Sequence, residues 1–522
     1  MGRGGELHAS GVPLGGSHGG PGGEGLGATS TSESLLVSSS RKISLKEVEK
    51  HDTPGDCWLA IHGKVYDVSR FVSKHPGGQI MIMAHAGGDN TALFEMSHPS
   101  YVRSMLPKYC IGELETPDTQ EPTADREDDD APRYPVYEDD SAKEKFYHTV
   151  KKRVERTMRD HGVDPRVSAA MYIKTACILT GLAVSSYGMF YADVSFFGAL
   201  MFAIGYGFCQ GEVGVSIQHD ANHGCYSRSP TLSMVMGWTL DLVGASSFMW
   251  RQQHVVGHHA YTNVVGVDPD IRVNSNDVRR VAAQQPHRTQ HRFQHVYLLL
   301  LYGLLAVKSV LVDDFSAIAE GCIGHVKLAK MTPLDLTVFW MGKIIFFTYA
   351  IFLPMLYGKW SVGASLGLLL VAELVCGWVL AFMFQVAHVQ SEVDWFERDG
   401  SSNSVVAGPH MLGEPGMKPG DKLGWGASQV LGSADFCHGS LFWTHVSGGL
   451  NYQIVHHLFP GICHCHYPLI APVVKRTCDE FGIRYTHYTT FIEALRAHVA
   501  HLKRLSIEGS APLTVPSLQT VG

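Results

Sequence analysis

Charged side chains are scarce in this sequence: Asp, Glu, Lys and Arg make up 17% of its 522 residues, against roughly 25% in soluble globular proteins. With 45% hydrophobic residues and a mean hydropathy of +0.01, the chain is neither uniformly soluble nor uniformly lipidic. An embedded part and an aqueous part must share it, and its length allows two or three domains. No secretory h-region opens the chain, and the 11 cysteines show no paired spacing. That speaks against a disulfide framework and for reduced thiols facing cytosol or lipid. A basic field is missing too. Of the net charge of −7, eight acids against two arginines between Asp125 and Asp140 account for −6. The remainder is nearly neutral, and no nucleic-acid partner is expected. Histidine is what the chain has in plenty: there are 29, a supply of imidazole ligands that a membrane metalloenzyme would use.

Composition divides the chain. Residues 1–40, rich in Gly and Ser, are expected to be a disordered head; Glu6 and Glu24 speak against a plastid presequence there. Residues 41–114 look globular, with strand-like runs at Trp58 to Ile61 and Lys64 to Val68 broken by Gly and Pro. Residues 115–142, acidic and proline-containing, read as a solvated linker. A membrane domain over 143–505 and a tail over 506–522 complete the division.

Four stretches are long and apolar enough to cross a bilayer of about 30 Å: Ala169 to Ala192, Val194 to Gln218, Leu336 to Tyr357 and Val362 to His388. Very short links make each consecutive pair a helical hairpin. Gln294 to Val312 is a weaker stretch that can lie in the interface instead. The links carry only Lys359, whereas His219 to Met331 carries Arg228, Arg251, Arg272, Arg279, Arg280, Arg288, Arg292, Lys308, Lys327 and Lys330. By the positive-inside tendency that segment and both termini are cytosolic. Every histidine cluster described next then falls on one face.

In the soluble part, Lys74-His75-Pro76-Gly77-Gly78 is followed 23 residues after His75 by His98. Two imidazoles can clamp a haem iron from opposite sides, leaving no open position and favouring electron transfer. The glycines let the backbone turn tightly against a porphyrin edge. His62 and His85 read instead as ordinary surface histidines.

In the membrane part, His219-Asp220-Ala221-Asn222-His223 ends the second span. Histidines at i and i+4 share one helix face, the spacing a shared metal needs. His254-Val255-Val256-Gly257-His258-His259 repeats it, and on an α-helix His259 would point away from His254 and His258, toward a second ion. Gln453-Ile454-Val455-His456-His457 follows the fourth span. Three such boxes at one face suit iron, whose nitrogen-rich pairs activate dioxygen. Zinc competes, but it has no redox chemistry to match an electron-transfer haem. His388, ionisable at the end of an apolar span, is a further candidate ligand. His287, His291 and His295 form a stripe interleaved with Arg288 and Arg292, which fits an exposed or interfacial face. Cys463-His464-Cys465-His466 is expected to be a short extended loop whose side chains diverge.

Together the haem motif, with Val65-Tyr66-Asp67-Val68 before it, the boxes and the four spans resemble the cytochrome b5-fusion front-end fatty acid desaturases over about residues 41 to 505. A third box led by Gln453 is a mark of that group. The strings Ser247-Phe248-Met249-Trp250-Arg251-Gln252-Gln253-His254 and Gly448-Gly449-Leu450-Asn451-Tyr452-Gln453 are most similar to acyl-lipid delta-5 desaturases. The resemblance implies an α+β cytochrome b5-like domain fused to an all-α integral membrane domain of four transmembrane helices under a cytosolic helical cap. It implies haem b on His75 and His98, and two iron ions on His219, His223, His254, His258, His259, His388, His456 and His457. Gln453 would bind water or iron weakly. No catalytic residue beyond these is implied. Val455 stands where many relatives have glutamate, which puts a carboxylate supporting the ligands at that position in doubt. The implied reaction uses O2 to insert a cis double bond into polyunsaturated C18–C20 fatty acyl chains on phospholipid or coenzyme A. NADH-cytochrome b5 reductase is the implied donor and the endoplasmic reticulum the implied membrane. Delta-4, delta-6 and delta-8 acyl desaturation, sphingolipid delta-8 desaturation and acyl hydroxylation share these features, and a passive haem- and iron-holding membrane protein is the rival of another class.

Overall fold

The computed structural model describes residues 41–75, 79–83, 85–115, 135, 137, 142–273, 277–400, 403–409 and 418–507. The expected head, most of the acidic linker, Pro76 to Gly78 and most of the tail lie outside the described residues.

The first unit is a five-stranded sheet of β1 (Lys42–Ile43), β2 (Asp52–Thr53), β3 (Asp56–Ile61), β4 (Lys64–Asp67) and β5 (Cys110–Leu114) in the order β1-β5-β4-β3-β2. Short helices α1 (Leu45–Val48), α2 (Gln79–Met83) and α3 (Thr91–Ser97) accompany it. Alternation in β3 and β4 turns Cys57, Leu59, Ile61 and Tyr66 into an apolar cluster with Val68, Val72 and Phe94. The α+β expectation for this region holds.

The second unit is helical. After α4 (Ala142–Asp160) come the hairpins α5 (Ala169–Phe190) with α6 (Phe196–Asn222) and, later, α10 (Pro333–Tyr357) with α11 (Val362–His388). Caps set where they start. Ser195 Oγ accepts from Gly198 N, Ser361 Oγ from Ala364 N, and Thr332 with Asp335 forms a reciprocal box before Pro333. Their outer faces expose Ile173, Phe197, Ile344 and Leu356, as lipid-facing surfaces do. Between α6 and α11 the backbones nearly touch: a Cβ on Gly207 would lie 2.1 Å from the Ala372 carbonyl oxygen. Small residues permit that approach in a membrane.

Between the hairpins lie α7 (Pro230–Leu242), α8 (Ser247–His258), bent by 111° against it, and α9 (Thr289–Glu320). Among the described residues five helices are therefore long and apolar enough to span, one more than the four expected. The contacts of α9 explain the fifth. Before it and in its first turns, His287 Nε2 donates to Ser506 O and Gln294 Nε2 to Leu502 O. Beyond its end, Ala329 N donates to Gln252 Oε1, and Lys330 Nζ lies 2.8 Å from Asp52 Oδ1 of the first unit. Both flanks thus attach to the face that carries the histidine boxes. At the opposite face the two hairpin links meet, Lys359 Nζ lying 2.6 Å from Asp193 Oδ1. The four hairpin helices are joined by these links, while both flanks of α9 are tied to the histidine face.

The remaining helices α12 (Trp425–Leu431), α13 (Leu441–Val446), α14 (Gln453–Leu458), α15 (Tyr467–Phe481) and α16 (Phe491–Leu505) cap the histidine face. The sheet unit docks there as well. Glu95 at the end of α3 is buried among Lys151 (3.1 Å), Arg103 (2.8 Å) and His62 (3.0 Å). Ser100 N donates to Glu155 Oε1, and Met96 packs into one apolar cluster with Tyr147 and Phe459.

Candidate metal centre

In the sheet unit His75 Nε2 and His98 Nε2 face one another at 3.5 Å. That is close to the span of two imidazole–metal bonds of about 2 Å each. His98 Nδ1 donates to the Phe94 carbonyl, which fixes the tautomer and leaves Nε2 as acceptor. Burial lowers the pKa of His98 to about 4, so the imidazole is neutral. The apolar cluster around Phe94 and Val72 lies beside the pair. His62 is tied to Glu95 rather than to this pair.

In the helical unit the seven histidines of the boxes converge with His388, each no more than 8% exposed. Nitrogen atoms of His219, His223, His254 and His456 lie within 4.8 Å of one another, and so do those of His258, His388 and His457. His259 stands between the two groups, its ring 4.7 Å from His223 and 4.5 Å from His457. Several of these nitrogens have no protein partner: His219 Nδ1 and Nε2, and Nε2 of His223, His258 and His456, are buried without a hydrogen bond. Neutral imidazoles crowded with bare lone pairs repel unless a cation sits among them. Burial, then neighbouring imidazoles, hold His456 and His457 well below the ordinary histidine pKa. These residues fit metal ions.

The backbone departs from the expected geometry at the second box. Arg251–His258 winds as a π-helix, and His259 N donates to His254 O. An i→i+5 turn brings His254 and His259 together edge to face, their Nε2 atoms 3.2 Å apart, and sends His258 to the other group. The expectation that His259 diverges from His254 assumed α-helical winding. A second π-turn, Val213–Ile217, precedes His219.

The outward nitrogens are anchored. His254 Nδ1 donates to Asp270 Oδ2 at 2.7 Å and His258 Nδ1 to Asp268 Oδ2 at 2.9 Å. His388 Nδ1 donates to Gly432 O, His456 Nδ1 to the Tyr467 hydroxyl, and His457 Nδ1 to Gln429 Oε1. Such partners orient metal ligands and leave Nε2 for the ion. Burial opposes charge on Asp270, yet His254 and His258 hold its carboxyl below the usual range. Sequence reasoning missed these supports. The one available signal is the pair of acids in Val267-Asp268-Pro269-Asp270, just after the second box. Gln453 Nε2 lies 2.9 Å from His388 Nε2 and 3.1 Å from His457 Nε2. Val455 is fully buried in an apolar cluster, with no room for a solvated carboxylate.

The remaining histidine motifs behave differently. His291 is held by Arg288 N and Asp277 O, and His287 by Ser506 O, away from both groups. His464–His466 is a 3-10 turn, not an extended loop. It brings His464 against Asp220 Oδ2 at 2.9 Å and within 4.8 Å of His445 and Cys465, a separate polar cluster beside His219.

Comparisons with known proteins find relatives of both units. The fatty acid desaturase family matches residues 195–489, and the cytochrome b5-like haem/steroid binding domain matches residues 44–115. An acyl-lipid (8-3)-desaturase of Physcomitrium patens is 49% identical over 90% of this chain and 92% of its own length. Delta(5) fatty acid desaturase A of Dictyostelium discoideum is 33% identical over 90% and 95%. Among solved structures, cytochrome b558 of Ectothiorhodospira vacuolata is 38% identical, covering 14% of this chain and 99% of its own, with a TM-score of 0.14.

Proposed function

This chain belongs to the fatty acid desaturase family, with a cytochrome b5-like domain fused ahead of it, and on that premise we propose that it is a delta-5 desaturase of polyunsaturated C18–C20 acyl lipids. It is a front-end acyl-lipid desaturase that uses haem, two irons and O2. His75 and His98 hold the haem. His219, His223, His254 and His456 hold one iron, His258, His388 and His457 the other, and His259 lies between them. The observation that carries this assignment is the convergence of buried imidazole nitrogens into two adjoining groups, those of His219, His223, His258 and His456 without a hydrogen-bond partner.

Bound there, the irons supply the O2 activation needed for attack on an unactivated C–H bond. Each double bond takes two hydrogens from adjacent methylenes, two electrons and two protons, and O2 leaves as two waters. Trp250 stacks on His254 at 4.4 Å, and Phe384 lies 5.0 Å from His388 and 5.2 Å from His258. The two rings give each group an apolar wall that positions an acyl chain and excludes water. Asp268 and Asp270 fix the ligands, and Glu95 holds the fused domain on the histidine face. NADH-cytochrome b5 reductase is the donor to that domain, and an endoplasmic reticulum membrane with this face cytosolic is the setting. The name of the Dictyostelium relative supports the delta-5 position.

Expression in a yeast lacking polyunsaturates, fed C18 and C20 acids singly, tests the reading. Mass spectrometry should place the new bond at C5; a bond elsewhere rejects the position. His75→Ala should abolish turnover even with free cytochrome b5 added, and full activity would reject the fused donor.

A further inference from the structure

One tyrosine and one tryptophan connect the two cofactor sites. Tyr147, on α4, donates its hydroxyl to the Glu95 carbonyl at 2.8 Å and lies 3.5 Å from the Leu458 carbonyl. Glu95 sits three residues before His98, on the helix whose Phe94 carbonyl receives the His98 ring N–H. Leu458 follows His457 directly. The Tyr147 ring meets Trp425 edge to face at 5.0 Å, and Trp425 Nε1 donates to the His259 carbonyl at 3.1 Å. Both side chains are buried, at 4% and 7% exposure.

We infer that Tyr147 and Trp425 form the electron relay between the haem domain and the histidine groups. The inference rests on the fused-donor reading above. Electron tunnelling weakens with distance, and far more steeply across an empty gap than along covalent and hydrogen bonds. From His98 back through α3 to Glu95, across the Tyr147 hydroxyl and ring, over the ring contact to Trp425 and through its N–H to His259, van der Waals gaps are crossed only where the two rings meet. Neither ring is oxidised or reduced: one electron leaves the haem side and one arrives at the iron side, twice per double bond. A second approach competes, where Gly461 comes close to the Met96 carbonyl, 3.7 Å from where a Cβ would stand. It offers no hydrogen bond among those described, and a relay through it would not need either ring.

Burial alone would also be met by packing residues that merely seat the domain, and the test must separate the two roles. The probe is the full-length enzyme loaded with haem and iron, its haem reduced by dithionite and mixed with O2 and acyl lipid. Haem reoxidation is followed by absorbance, with iron-free protein as the background for direct oxidation by O2. Tyr147→Phe keeps the ring and removes the hydroxyl; Trp425→Phe leaves a smaller aromatic ring and removes the N–H. Each should slow iron-dependent reoxidation by roughly tenfold, with the haem spectrum, potential and iron content unchanged. The measurement is repeated after carbodiimide coupling of Lys330 to Asp52, which locks the domain in place at its 2.8 Å ion pair. A slow rate that persists in the coupled protein supports the relay. Wild-type rates in both variants, or recovery on coupling, overturn it and leave the desaturase reading standing. Absence of iron-dependent reoxidation in the wild type would reject the fused donor itself.

Discussion

His254 and His259 face each other through Nε2 atoms 3.2 Å apart although five residues separate them in sequence. Only the i→i+5 turn ending at the His259 N–H to His254 carbonyl bond makes them neighbours. On an α-helix the residue above His254 would be His258, and it instead serves the other group. One extra residue in the winding thus lets a single box face two ions, which fits the placement of π-turns at functional sites.

Inserting an alanine after Val256 adds a residue that the existing π-turn cannot absorb and should rotate everything after it by about 100°. The insertion variant should bind less than one iron per chain while keeping the haem spectrum of the fused domain. Iron analysis of the purified protein, beside its haem absorbance, checks both halves of the expectation.

Asp270→Asn and Asp268→Asn remove carboxylates that accept from His254 and His258. Loss of such a partner lowers metal affinity or activity by about 10–100-fold. Asp268 should be the more damaging site, because its oxygens also accept from the backbone of Asn263, Asp270 and Ile271. Iron retention during dialysis against a chelator gives the order.

The histidine boxes, the hairpins and the sheet unit were legible in the sequence because each is written in local spacing. Apolar runs begin where Ser195, Ser361 and Thr332 cap, and His75 and His98 stand in a recognisable string. What was not legible depends on winding or on tertiary contact. Neither the π-turn at Arg251–His258 nor the choice of Asp270 as a partner for His254 follows from residue counts. The seat of the fused domain on Glu95, Lys151 and Tyr147 joins segments far apart in the chain. The helix α9 passes for a span by length and apolar content, while its two flanks are both tied to the histidine face, which residue counts do not reveal.

Sidedness follows from the same contacts and can be read chemically. Asp193, 97% exposed at a hairpin link, should react as Asp193→Cys with an impermeant maleimide from one side of the membrane. Arg292→Cys and Glu320→Cys, at the two ends of α9, should both react from the other. The assay needs exposed Cys177 replaced. Opposite sidedness for the two ends of α9 would show that it crosses.

The buried carboxylate of Glu95 makes docking pH-dependent in a definite direction. Burial opposes its charge, but His62, Lys151 and Arg103 together hold its pKa far below the usual range. A carboxyl depressed in the folded state adds stability above its unfolded pKa of about 4.3, and that stability drains away as pH falls below it. Glu95→Gln should therefore weaken docking by about 3 kcal/mol near neutral pH. The gap between variant and wild type should close as the medium is taken below pH ~4. Thermal melts followed through the haem band across that range measure the difference.

Gln453 offers the sharpest test of the second histidine group. That group has three imidazoles, against four in the first, and the Gln453 amide lies within 2.9 and 3.1 Å of two of them. Its Oε1 is buried with no hydrogen-bond partner. Rotating the amide by half a turn would aim that oxygen at the same point as the Nε2 atoms of His388 and His457, making it a fourth ligand or the seat of a bound water. Gln453→Ala should then drop iron from two per chain toward one and cut desaturation by about tenfold or more, while Gln453→His, which restores a nitrogen donor, should keep both irons. If the alanine variant keeps two irons and full activity, Gln453 only fills space between the ligands, and the three imidazoles hold their ion without it.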